Sequence, residues 1–117
     1  MILLSEIQKA ILIEGVWDVV GLWEVIRFVQ RETDAPDGDA LREECLRQIR
    51  PLLMEGYVEI GEADAKGGFE SWRLAVEDAL HVADEEWRQL GRDPIMGELC
   101  YLKNTELGDV VAEALPE

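Results

Sequence analysis

The sequence predicts an α+β protein folded as one domain over residues 1–117. Apolar residues recur at steps of three and four in five separate stretches, the period of an amphipathic helix. Between the third and fourth of them, "YVEIGE" (57–62) alternates apolar and polar residues behind a glycine, as a half-buried strand does. A chain of 117 residues with 48% hydrophobic content and four Trp supplies one core.

The elements follow in order. "LLSEIQKAILIE" (3–14) places Leu3, Leu4, Ile7, Ile11 and Leu12 on one helical face, and Gly15 reads as its stop. "VWDVVGLWEVIRFVQRET" (16–33) is polar or small only at Asp18, Gly21, Glu24, Arg27 and Gln30 or Arg31. Such a helix shows water a narrow stripe and forms the middle of the core, with Trp17, Trp23, Ile26 and Phe28 as packing residues. "TDAPDGD" (33–39) is turn chemistry, and Asp39 is placed to cap the next helix. Its three aspartates miss the alternate-position spacing and the twelfth-position glutamate of a calcium loop.

The third helix is expected over 40–55, with Leu41, Cys45, Ile49, Leu52 and Leu53 inward and Arg42, Glu43, Arg47 and Arg50 off that face. Pro51 predicts a kink or a division there, and Gly56 a stop. In the strand that follows, alternation sets Tyr57 on the opposite face from Val58 and Ile60. "ADAKGG" (63–68) is a loop tip, and "FESWRL" (69–74) reads as a short returning strand or an irregular edge. Over 75–90, Val76, Leu80, Ala83, Trp87 and Leu90 form one face of a helix whose other side carries Glu77, Asp78, Asp84, Glu85 and Glu86, closed by Gly91. "LCYLKN" (99–104) reads as a strand, and Thr105 caps a last helix bearing Leu107, Val110, Val111 and Leu115.

Charge narrows the choice of partner. Twenty-six acidic against 11 basic residues give a net charge of -15, a field that repels phosphate and attracts basic protein surfaces. The start "MILLSEIQK" has no basic leader and no small-residue cleavage site, and no uncharged apolar run reaches membrane-spanning length. A cytoplasmic protein with no membrane partner is expected. Cys45 and Cys100 stand far apart without CxxC spacing and read as buried thiols, with a single disulfide as the other arrangement.

Catalytic and metal motifs are lacking. His81 is the only histidine; Glu77 and Glu85 lie one turn to either side, where helical carboxylates often stand by chance. One His and two scattered Cys do not make a zinc site, and the sequence contains no P-loop, no G-x-S-x-G and no G-x-G-x-x-G. No enzyme activity, no metal and no cofactor are expected.

Two segments carry a family resemblance. "LRQIRPLLMEGYVEIGE" resembles the junction between recognition helix and strand in small bacterial winged-helix proteins, and "YLKNTELGDVVAEAL" resembles their closing strand and helix. The resemblance implies a winged-helix-like fold with three N-terminal helices, a small antiparallel sheet, an acidic helix (75–90) inserted in the wing region and a C-terminal helix. It also implies that a DNA-reading surface would use Arg42, Arg47 and Arg50 of the third helix. Asp37, Asp39 and Glu43 lie beside them, and Glu59, Glu62, Asp64 and Glu70 crowd a wing that offers only Lys66 and Arg73.

The reading that fits this charge is a non-enzymatic acidic protein-binding module, of immunity or adaptor type, that engages a basic protein. Its anchors would be Tyr57, Trp72 and Trp87 rimmed by Glu77, Asp84 and Glu85, although Trp87 reads equally well as core. The alternative is a winged-helix transcription regulator in which a homodimer gathers the three arginines against DNA.

Overall fold

In a computed structural model, which describes residues 2–34 and 38–116, the chain is α+β. The elements are α1 (Glu6–Trp17), β1 (Val20–Gly21), α2 (Leu22–Glu32), α3 (Asp39–Met54), β2 (Val58–Ala63), β3 (Phe69–Ser71), α4 (Val76–Leu90), β4 (Tyr101–Asn104) and α5 (Glu106–Glu113). The four strands form one antiparallel sheet in the order β1-β4-β2-β3.

The first helix begins later and ends later than its apolar spacing suggests. Ser5 Oγ accepts the Gln8 N–H at 3.0 Å while Gln8 Oε1 accepts the Ser5 N–H at 2.9 Å, a reciprocal cap that fixes the start at Glu6 and leaves Leu3 and Leu4 outside. Gly15 does not stop α1. It sits inside the helix because the Asn104 side chain occupies the space a Cβ would need, with Oδ1 only 2.1 Å from that position. The helix unwinds after Trp17, where Asp18 is extended, and β1 pairs with β4 through Val20↔Leu102 and Gly21↔Tyr101. The single helix expected over 16–33 is therefore split, and Trp17, expected in the core, is 84% exposed.

In α3 the helix is not divided at Pro51 but runs through it as one element, the proline forgoing one N–H bond near its end, and Asp39 is not the cap. The N-cap is Gly38, at φ 76°, and Asp39 stands in the first turn. The turn residues Pro36 and Asp37 lie outside the described residues. Gly56 (φ 73°) and Gly91 (φ 75°) end α3 and α4 as expected, in a left-handed conformation that L side chains rarely adopt.

The core gathers Ile7, Ile11 and Leu12 of α1, Leu22, Val25 and Val29 of α2, and Leu41, Cys45, Ile49 and Leu52 of α3 over Val20, Val58, Ile60 and Leu102 of the sheet. Each fully buried aliphatic side chain contributes about 1.5–3 kcal/mol relative to exposure. Leu53, expected inward, is only partly buried. On α4 the buried face is Ala79, Ala83 and Trp87, with Leu80 partly buried. The two alanines allow α4 to lie close on α3.

Thr105 fastens α5 to the turn between α3 and β2. Its Oγ1 donates to the Gly56 carbonyl at 2.6 Å and accepts the Gly108 N–H at 3.0 Å, while its own N–H donates to the Tyr57 carbonyl at 3.0 Å. Gly108 passes so close to this turn that a Cβ would stand 1.9 Å from the Tyr57 carbonyl oxygen.

Candidate functional site

The arginines expected to face DNA are engaged within the chain. Arg42, its side chain only 12% exposed, donates from Nε to Asp84 Oδ1 at 2.7 Å and from Nη1 to Asp39 Oδ1 at 2.6 Å. Arg50 Nε donates to Glu77 Oε1 at 2.7 Å, and Arg47 Nη1 to Glu44 Oε1 at 2.6 Å. Two of these four pairs, Arg42–Asp84 and Arg50–Glu77, cross from α3 to α4, so the acidic helix lies along the arginine row and neutralises two of its members, while Arg47 is paired within α3. The Arg42 guanidinium holds the Asp39 carboxyl below the usual aspartate range.

The six residues expected to bind a protein do not form one exposed patch. Tyr57 is buried together with Val58 and Ile60, because the start of the chain and α5 close over it; Trp87 is 3% exposed and donates from Nε1 to Asp93 Oδ1 at 3.2 Å. Neither ring is available as a surface anchor. Trp72 is partly buried against the core. Glu77 and Asp84 bind the α3 arginines, and Glu85 pairs with Arg88 at 3.3 Å. Tyr57 lies in the turn before β2, where its carbonyl accepts the Thr105 N–H, and choosing it as a surface anchor overlooked the segments that cover it.

The structure offers an apolar groove instead. Residues 2–4 run beside α5, and between them lies a groove of about 380 Å³ lined mainly by Leu3, Leu4, Val110, Val111 and Leu115, with the Tyr57 ring at its floor. Leu3 is 99% and Val110 63% exposed, and Leu107 is also exposed. Periodicity did not separate out this surface, since it read Leu3 and Leu4 as part of the first helix's apolar face and Leu107, Val110, Val111 and Leu115 as the apolar residues of the last helix. The available signal was excess: α5 carries apolar side chains around more of its circumference than one buried face requires.

Other reactive groups offer no chemistry. Cys45 and Cys100 are free and buried, and burial pushes both thiols up to about 12. His81 is exposed on α4. No group of three or more His, Cys, Asp or Glu among the described residues is placed to hold a metal ion, and none of their helices is long and apolar enough to cross a membrane. Glu24 has a raised pKa because burial penalises its charge, an effect partly offset by the Gly21 N–H it accepts at 2.8 Å. It caps the start of α2.

No protein-family model, curated protein or solved structure matches this chain.

Proposed function

We propose that the protein is a non-enzymatic acidic module, of immunity or adaptor type, that binds a basic protein on a winged-helix-like scaffold. The observation that carries this reading is the pairing of Arg42, Arg47 and Arg50 with Asp39, Asp84, Glu44 and Glu77. With that row neutralised from within, a net charge of -15 is left to face the surroundings. The same pairing weighs against a DNA-reading α3, because each arginine would have to leave a carboxylate before reaching a phosphate. The scaffold reading draws on the order α1-β1-α2-α3-β2 and on the position of β4 between β1 and β2, with β3 and α4 as the insertion.

Affinity capture on the immobilised protein, with salt elution and mass spectrometry, tests the reading when each captured protein is purified and its binding measured again. Basic partners whose affinity falls with salt are expected. Partners of neutral or acidic charge, or retardation of duplex DNA that disappears when Arg42, Arg47 and Arg50 are replaced, would overturn it.

A further inference from the structure

The groove between residues 2–4 and α5 identifies the partner more closely, and the argument rests on the basic-partner reading above. Along α5, Leu107, Val110 and Ala114 are spaced i, i+3, i+7 and lie exposed in one row. Glu106, Asp109 and Glu113 repeat the same spacing in a parallel row displaced around the helix. Glu106 and Glu113 are exposed, and neither forms an ion pair among the described residues; Asp109 accepts a hydrogen bond from Asn104 Nδ2 at 3.0 Å. The cation that borders the groove, Lys9, is held by Glu6 at 3.3 Å. An apolar trough beside an acidic row complements a helix with one apolar and one basic face. The eight residues of α5 extend about 12 Å, room for roughly two turns of a partner helix. A second copy of this chain is a poor occupant, because it would bring another -15 charges and the same acidic row.

We propose that this groove binds an amphipathic helix of a partner protein, apolar side chains at i, i+3 or i+4, and i+7 entering between Leu3 and Val110 and basic side chains lying over Glu106 and Glu113. The α5 wall of the groove is fixed before binding, since Thr105 and Gly108 pin α5 to the turn at Tyr57.

Fluorescence anisotropy with three labelled synthetic peptides tests this: a Leu/Lys helix with leucines on one face, a scrambled peptide of the same composition, and a Leu/Glu helix of the first pattern. The patterned Leu/Lys peptide should bind at least about tenfold more tightly than either other peptide. Val110→Asp and, separately, Leu3→Asp should weaken it by about tenfold or more, the factor that burying one such side chain is worth. Leu74→Asp, at an exposed apolar residue outside the groove, should leave it unchanged. Circular dichroism guards against misfolding, and Leu3, outside every helix, is the variant least able to disturb the fold.

If the scrambled peptide binds as well and Val110→Asp has no effect, the groove proposal fails while the acidic-module reading stands. Equal binding of the Leu/Glu helix would refute the partner's basic face. Sedimentation showing a dimer that Val110→Asp dissociates would give the groove to a second copy. Failure of all three peptides together with capture of no basic partner would remove both readings.

Discussion

Arg42 bridges two carboxylates from different elements, Asp84 on α4 and Asp39 in its own first turn, with Nε 2.7 Å from one and Nη1 2.6 Å from the other. The bond to Asp84 is the more sheltered and the one that spans the α3–α4 contact. Asp84→Asn should cost about 1.5 kcal/mol in chemical denaturation, the lower end of the worth of a hydrogen bond to a charged group, because the Asp84 side chain is partly exposed. Asp39→Asn should cost much less because its carboxylate faces solvent. A double-mutant cycle of Arg42→Ala with Asp84→Ala reads the coupling directly, and a coupling of zero would show that this pair does not help to hold α4 on α3.

Gly15 and Asn104 form a size-matched pair. Gly15→Ala alone should destabilise the protein by about 1–3 kcal/mol, because the new methyl meets the Asn104 amide. In the Asn104→Ala background, where the bond to the Leu12 carbonyl is already lost, the same change should cost little. Equal costs in the two backgrounds would refute the steric account.

Gly108→Ala tests the pin between α5 and the turn at Tyr57. The obstacle there is a backbone carbonyl, which has no rotamer to change, so a loss of about 1–3 kcal/mol is expected, with no second-site rescue by side-chain trimming. Thermal melts of Gly108→Ala, alone and with Tyr57→Phe, decide this.

Glu98 and Glu24 should titrate on opposite sides of 4.5. Two Arg92 bonds of 2.7 Å, and then the Ile95 N–H at 2.8 Å, hold the Glu98 carboxyl at about 2. A depressed folded value means that this contribution to stability is complete above 4.5 and is lost as pH falls toward 2. Glu24 has the opposite sign. Its ionisation opposes folding above its raised value, and that penalty is relieved as pH falls through it to 4.5. Carboxyl NMR titration should show both displacements, and Arg92→Gln should return Glu98 toward 4.5.

The two thiols should resist alkylation at pH 8 while the protein is folded and react at once in denaturant. Burial both blocks access and keeps them protonated. Rapid labelling of the native protein would show that the core around Cys45 or Cys100 opens readily.

What could be read from the sequence was what local chemistry decides. Gly56, Gly91 and Thr105 end or begin helices through their own backbone or side chain, and each does so here. The α3 face from Leu41 to Leu52 and the acidic α4 were legible because 3.6-residue periodicity is a short-range signal. What escaped depends on distant partners. β1 is two residues long and exists only because β4 lies beside it; Gly15 looks like a stop until Asn104 fills its place. Arg42 and Arg50 looked free because their partners Asp84 and Glu77 lie far along the chain, whereas the pairs of Arg42 with Asp39 and of Arg47 with Glu44 are local. Tyr57 and Trp87 were offered as anchors by residue type, which carries no information about what covers a ring.

The pairing of β2 with β4 also bears on the order in which the molecule assembles. Gly61 stands opposite Tyr101 and Ile60 opposite Leu102, yet the chain between them makes the excursion 64–100 before returning. Closing so long a loop costs about 2–3 kcal/mol more than a tight two-residue turn, and no local contact repays it until the ends meet. The helices can form early on their own sequence, whereas the middle of the sheet must wait for its last strand. The folding speed of the whole domain is thereby tied to how quickly α4 finds α3 and shortens the distance that β4 has to search.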